Sequence, residues 1–493
     1  MNSTQVTALT IILLYMVATV CLGLFVSARK KAKATTAQSN EDFLMAGKSL
    51  GPLVLAGTLF AANTGGASTT GVATNVLTQG LSAAWYVIAA GISFILVSFI
   101  APYFRRSQSS TVPDIINKRY GKGSHIFTAF TSIAALFMAT GAQIIATASI
   151  INVVTGLEFK LAAAITTIIV IVYTMVGGFQ SVTAANMMHV LFITVGMTIA
   201  LFIMLGNSGV GGLSVLLDRA QAMTNTSGES LDLLSMTKVG IPTIIGYVAM
   251  YFMTFPTGQE IVQTFCSAKD GKSAKLGSII AGLLSAAYAI VPALIGLIAY
   301  VCIDGFAAGG AQKNALAQAT ITFAPPIIAG LLLAAIVAAT MSSAAGNMIG
   351  TATMFTNDIF RPYINHGKKD DSKEVWISRV VMIVVGLVGL AVAITASNII
   401  SVMMGAFALR SAGPFAAFIC GLFYKNVTKR AGFFSILAGT LMAAIWIYFL
   451  NTPWGLTPMV PGGIVAFIVI FTVSAIERKM GIPPAPAIEF SND

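Results

Sequence analysis

The sequence predicts an all-α polytopic membrane protein with about 13 transmembrane helices. Three observations predict it. Hydrophobic residues make up 56% of the 493 positions and charged ones only 9%, against about 25% charged in a soluble domain. Apolar stretches near 20 residues long recur from end to end, each able to cross a hydrocarbon core roughly 30 Å thick. They are continuous runs rather than alternating segments of about 10 residues, which excludes a β-barrel.

Hydropathy places the helices, numbered here as spans zero to twelve, at 6–28, 51–78, 81–104, 125–155, 160–177, 181–206, 240–267, 275–303, 326–357, 376–397, 399–424, 431–450 and 458–477. Span zero has no charge before it and is followed by Arg29, Lys30, Lys31 and Lys33. A cleaved signal peptide carries its charge ahead of a shorter apolar run, so span zero reads as a retained helix with its N-terminus outside.

Alternating the loops from that start sorts the cations. Arg29, Lys30, Lys31, Lys33, Lys48, Arg105, Arg106, Lys118, Arg119, Lys122, Lys269, Lys272 and Lys275 fall inside, as do Arg361, Lys368, Lys369, Lys373, Arg379, Lys425, Lys429, Arg430, Arg478 and Lys479. Lys160, Arg219, Lys238 and Lys313 fall outside, a ratio of 23 to 4 among the 28 Lys and Arg residues, with Arg410 the remaining one. This one-sidedness is the positive-inside pattern. It explains the net charge of +11 without a nucleic-acid partner and places the C-terminus in the cytoplasm. A bacterial inner membrane is the expected location. The sequon-like Asn225-Thr226-Ser227 falls outside. The scattered Cys21, Cys266, Cys302 and Cys420 form no CxxC or Cys/His cluster and read as small apolar residues.

Spans one and six are interrupted. Span one carries Asn63-Thr64-Gly65-Gly66-Ala67-Ser68 at its middle, and span six carries Thr254-Phe255-Pro256-Thr257-Gly258. Proline removes a helical N–H and clashes with the preceding turn. Gly and Pro also serve plain helix packing in membranes, but two breaks five helices apart match the broken helices of inverted-repeat transporters, which bind solute near the midplane. The expected organisation is an extra helix and linker (1–50), a first five-helix repeat (51–206), an outer loop (207–239), a second repeat (240–425) and two further helices with a tail (426–493).

Polar residues inside the spans suggest the cargo. Ser342-Ser343 in span eight can bond to its own helix or offer two oxygens to a small hard cation, by the logic that governs Ca²⁺ and Mg²⁺ sites. Freed carbonyls of an unwound span one would complete a Na⁺ site. No Asp or Glu stands at the midplane of any span; Glu260 and Asp358 are nearest, and His189 is the one intramembrane histidine. A site of neutral oxygens favours Na⁺ over H⁺. Arg410 stands inside span ten, and an intramembrane Arg is costly. Its partner is either a solute carboxylate or a protein group, a backbone carbonyl or a distant acid. The residues expected to meet the solute near the breaks are Asn63, Gly66, Ser68, Gln143, Thr254, Phe255, Thr257 and Arg410.

The chain resembles the sodium:solute symporters over about residues 5–450. The resemblance rests on Leu50-Gly51-Pro52 with Ala61-Ala62-Asn63, on Tyr173–Val182, on Gln259 and Gln263 with Ser267-Ala268-Lys269, on Met341-Ser342-Ser343, and on Thr351–Phe360. It implies the inverted five-helix fold of amino-acid transporters plus an N-terminal helix. It also implies a Na⁺ site made by the carbonyls of Ala61, Thr64 and Ala339 and the hydroxyls of Ser342 and Ser343. A second sodium site of some members looks absent, because Asn186, Ala345 and Gly346 stand at its positions. Ala67-Ser68 replaces the Glu-Gln pair of the sugar carriers, and Asn63 and Gly258 replace tryptophans of the choline type, which disfavours both solutes.

The resulting expectation is a non-enzymatic, Na⁺-coupled secondary symporter that imports a small organic solute, with carboxylate-bearing solutes as the candidate class, by alternating access in a lipid bilayer. A proton-coupled or sodium-independent carrier of the same fold is the alternative, followed by a solute sensor. An intramembrane enzyme would need a nucleophile and base or a metal cluster, and the dispersed His125, His189 and His366 offer neither.

Overall fold

The structure is a computed structural model that describes residues 3–33, 50–107, 111–224, 228–310, 313–368, 370–396 and 398–488, the side chains of 20, 22–33, 176–187, 371 and 448 excepted. The sequon at 225–227, most of the linker after span zero and the side chain of Asn186 lie outside the described residues.

Helical backbone covers all the expected spans, and the described residues contain isolated bridges but no strand. Among the described residues, eight helices are long and apolar enough to cross a membrane, nine if Ile399–Ser411 and Pro414–Phe423, bent by 44°, count as one span. Shorter apolar helices run over Ser3–Thr19, Pro52–Asn63, Phe159–Met175 and Ile241–Thr257. The stretch expected to hold spans four and five is helical over Phe159–Leu191, π-helical over Phe192–Gly196 and helical again over Met197–Leu205. Both its ends meet the same end of the bundle. Lys313 lies over the Phe159 ring, and Asn207 donates to the Phe323 carbonyl. Residues 313 and 323 flank only the nine-residue helix Ala315–Phe323, too short to cross a bilayer. The chain from 159 to 207 therefore leaves and returns. Ala315–Phe323, Val112–Tyr120 and Leu213–Ala222 are helices that hydropathy did not mark.

The spans pack as two groups. Span three (Lys122–Thr155) lies against spans eight (Pro326–Met354), nine (Asp371–Thr395) and ten. Span seven (from Gly271) lies against spans one and two. Spans two and seven cross at a pair of glycines. A Cβ on Gly91 would stand 2.7 Å from the Gly282 carbonyl oxygen, and one on Gly282 would stand 2.6 Å from that of Gly91. Small residues let membrane helices approach this closely.

Both breaks are real. Span one runs Pro52–Asn63, loses helical geometry at Thr64 (φ −92°, ψ 63°), and resumes as a π-turn over Ala67–Gly71 and a helix over Val72–Gln79. Span six runs Ile241–Thr254, tightens to a 3₁₀ turn over Phe255–Thr257, is extended at Gly258, and resumes over Gln259–Cys266. The far end of span one is covered by the 228–239 stretch. Leu81 and Ser82 N–H donate to the carbonyls of Leu233 and Ser235. At the other end of the bundle, Leu50 bridges Ala268, and the buried Arg119 donates to carbonyls of Tyr424, Ala485 and Pro486, holding the C-terminal segment.

Candidate functional site

The two breaks open onto one central cavity. Three helix segments build most of its wall: the first half of span one, the second half of span six and the second half of span eight. All three lie toward the end of the bundle that carries the basic loops. The opposite wall is aromatic, with Tyr86, Tyr251, Phe255 and Phe407 lining it. Tyr251 meets the rings of Tyr86, Phe255 and Phe407 at centroid distances of 5.4, 5.3 and 5.6 Å. Edge-on and tilted contacts of this kind lock ring positions beyond their area burial.

Span three presses on the break in span one. Gln143 Oε1 accepts the Gly66 N–H at 2.8 Å, satisfying a donor that the unwound backbone would otherwise leave bare. The approach needs both glycines. A Cβ on Gly65 would stand 2.7 Å from the Gln143 amide, and one on Gly66 would stand 2.2 Å from the Ala146 Cβ. Ser68 Oγ donates to the Asn63 carbonyl at 2.7 Å and Thr69 Oγ1 to that of Gly65 at 2.9 Å, so hydroxyls re-satisfy the freed acceptors.

Of the residues expected to meet the solute, Asn63, Ser68, Gln143, Phe255 and Arg410 line the cavity. Gly66, Thr254 and Thr257 are not on its wall. Gly66 faces span three. Thr254 Oγ1 bonds Ser411 Oγ at 2.9 Å, and Thr257 Oγ1 reaches the Met253 carbonyl and Ser411 Oγ, so both hydroxyls are spent on joining span six to span ten. Of the expected Na⁺ ligands, Ala61, Ser342 and Ser343 line the cavity, Thr64 stands at the break, and Ala339 lies one turn before Ser343 on span eight. Spans three and eight are tied beside this place by Thr147 and Thr340, whose hydroxyls meet at 2.7 Å.

Arg410 has a partner within the protein. Its Nη2 lies 2.7 Å from Glu260 Oε1, and its Nη1 donates to Oε2 at 2.9 Å. Of the partners expected for Arg410, the distant acid is present, as Glu260. Glu260 lies just beyond the span-six break, and the bend there swings its side chain to span ten, which linear hydropathy does not reveal. Hydropathy likewise missed the aromatic wall, because Tyr86, Tyr251 and Phe407 read as ordinary membrane residues. His125 and Asp358, far apart in sequence, also pair at 3.0 Å in a buried contact.

A scan of known families matches the sodium:solute symporter family model over residues 43–439. The chain belongs to the sodium:solute symporter family. Similar curated proteins include a sodium/glucose cotransporter of Vibrio parahaemolyticus, 26% identical over 86% of this chain and 82% of that one. The osmoregulated proline transporter OpuE of Bacillus subtilis is 24% identical (89% and 90% covered), and a sodium/proline symporter of Staphylococcus aureus is 26% identical (89% and 88% covered). Among solved structures, an outward-open Na⁺-coupled sialic acid symporter superposes with a TM-score of 0.76 at 18% identity, covering 98% of each chain. Mhp1, of the nucleobase-cation-symport-1 family, gives 0.59 at 16% identity, covering 90% of this chain and 97% of its own. This symporter is therefore a transport protein rather than an enzyme, with the inverted-repeat fold expected from its two broken spans.

Proposed function

We propose that this symporter couples inward Na⁺ movement to uptake of a small organic solute bound in the central cavity. The observation that carries the reading is the convergence of two unwound helices and the Ser342-Ser343 pair on one cavity. In this reading Na⁺ is held by the carbonyls of Ala61, Thr64 and Ala339 and the hydroxyls of Ser342 and Ser343, tying span one to span eight. The solute lies between Asn63, Ser68, Gln143, Phe255 and Arg410, with Gly66, Thr254 and Thr257 shaping the breaks behind them.

The repeats 51–206 and 240–425 supply the two packed groups that would rock against each other. With the basic loops in the cytoplasm, the N-terminus is outside, and the cavity faces inward beneath the aromatic wall. A bacterial inner membrane fits this orientation.

The test is thermal stability of the purified protein in Na⁺ against K⁺ at matched ionic strength. A ligand that binds only the folded state raises its stability by mass action. A Na⁺-specific rise is expected, lost in Ser342→Ala/Ser343→Ala. A double mutant that keeps the rise would sink the site. Transport that ignores Na⁺ and follows a pH gradient would favour proton coupling instead.

A further inference from the structure

We propose that the solute is dipolar: its carboxylate is read by Arg410 and its cationic nitrogen by Glu260. This rests on the reading that the central cavity is the solute site, and it adds Glu260 as a specificity residue.

The argument starts from charge. Glu260 and Arg410 are the two charged side chains on the cavity wall, and they neutralise each other at 2.7 and 2.9 Å. The Arg410 side chain is 4% exposed and that of Glu260 25%, so the carboxylate is the more open of the two to an arriving group. Both Arg410 Nη atoms are taken by Glu260, while its buried Nε–H has no partner. A carboxylate arriving at Arg410 therefore meets Glu260 across a shared guanidinium, and like charges at such range repel in a low-dielectric site.

A solute with only a carboxylate either suffers that repulsion or strips Arg410 from Glu260, leaving a buried carboxylate uncompensated. The proposed Na⁺ is assigned to oxygens of spans one and eight and not to Glu260, so Glu260 keeps Arg410 as its counter-charge. A purely cationic solute leaves Arg410 bare in the same way. An uncharged solute disturbs neither group but draws nothing from them. A molecule with both charges offers a partner to each member of the pair and adds no net charge to the cavity. One more unpaired polar atom on the wall, Asn63 Nδ2, remains for its other polar atoms. The rings of Tyr251 and Phe255 offer apolar surface to its body, while the Phe407 ring already carries the Arg410 guanidinium, 5.0 Å from its centroid.

The experiment uses the full-length protein in lipid nanodiscs with saturating Na⁺. The probes are the twenty standard amino acids and glycine betaine, and for each responder its analogue lacking the carboxylate, its analogue lacking the nitrogen, and an uncharged amide. Binding is read by thermal shift and titration. The expected result is binding of at least one zwitterion, with each singly charged analogue weaker by on the order of 100-fold, since a site built for a polar group rejects the analogue that lacks it. Glu260→Gln should weaken the zwitterion at least about tenfold while improving the nitrogen-free carboxylate, because Arg410 is then free for it.

An uncharged or singly charged probe binding as well as every zwitterion overturns the proposal, as does a panel in which no zwitterion binds. An unchanged ranking in Glu260→Gln also overturns it; if that variant does not fold, the wild-type ranking decides. The Na⁺-specific thermal shift separates the two readings. If it persists without zwitterion selectivity, only the dipolar solute falls; if it is missing, the cavity reading falls with it.

Discussion

Arg410 lies across the break in span six. Its Nη2 is 2.8 Å from where a Cβ on Gly258 would stand, and the same guanidinium closes on Glu260 two residues further along. The missing side chain at Gly258 thus makes room for the ion pair. Gly258→Ala should push the guanidinium off Glu260 at an overpacking cost of about 1–3 kcal/mol. The measurement is the melting midpoint in detergent together with solute affinity; both should fall, and an unchanged pair would show that Arg410 can step aside freely.

Glu260→Ala leaves Arg410 buried and unpaired. Breaking a buried pair from one side costs about 3–5 kcal/mol, and the partial exposure of Glu260 places this case near the low end. Replacing both members, as Glu260→Leu/Arg410→Met, should return stability to near wild type, because desolvation of both charges disappears with them. Transport should stay lost in the double variant. Chemical denaturation and an uptake assay on the same preparation separate the two effects.

Gln143 supplies the acceptor for the Gly66 N–H. Gln143→Leu orphans that donor inside the protein, at about 1–3 kcal/mol. Hydrogen exchange at Gly66 should accelerate in the variant. An unchanged rate would mean that water already serves this amide.

Gly80 sits at φ +60°, and a Cβ there would stand 2.8 Å from the carbonyls of Asp232 and Leu233. Gly80→Ala is thus penalised by conformation and by contact. It should loosen the 228–239 loop from span one, and limited proteolysis of that loop should speed up while the core midpoint changes little.

Asp270 caps span seven: its Oδ1 accepts the Ser273 N–H at 2.7 Å. That backbone hydrogen bond, with the Ser273 side chain, holds its carboxyl below the ordinary value of 3.8. A carboxylate with a depressed pKa stabilises the fold above its unfolded value, and that contribution is lost as pH falls through the folded one. The melting midpoint should drop on acidification below the ordinary carboxylate range. Asp270→Asn, which keeps a capping oxygen without the charge, should show a shallower drop over that window. An identical slope would assign the acid sensitivity to other carboxylates.

Much of the fold was legible in the chain because the bilayer imposes one-dimensional rules. A crossing needs a fixed length of apolar residues, and Pro256 and Gly65-Gly66 mark breaks by local backbone chemistry alone. Ser342 and Ser343 stood out as a candidate cation site because two hydroxyls in an apolar helix are locally conspicuous. Glu260 was not legible as the partner of Arg410, since 150 residues separate them and only the bend at Gly258 brings them together. Thr254 and Thr257 looked like solute contacts because they flank the break, yet which face of a bent helix meets the cavity depends on span ten and Ser411.

Hydropathy, charge bias and paired helix breakers by themselves determined a multi-span membrane protein with discontinuous spans one and six, because these signals follow from what hydrocarbon accepts. Only the tertiary structure decided which polar side chains share a cavity, which hold helices together, and that the arginine within span ten arrives already paired. Those outcomes depend on helix rotation and close approach at glycines such as Gly66 and Gly258. Rotation and approach are set by the packing of every neighbouring span at once, so no local stretch of sequence encodes them.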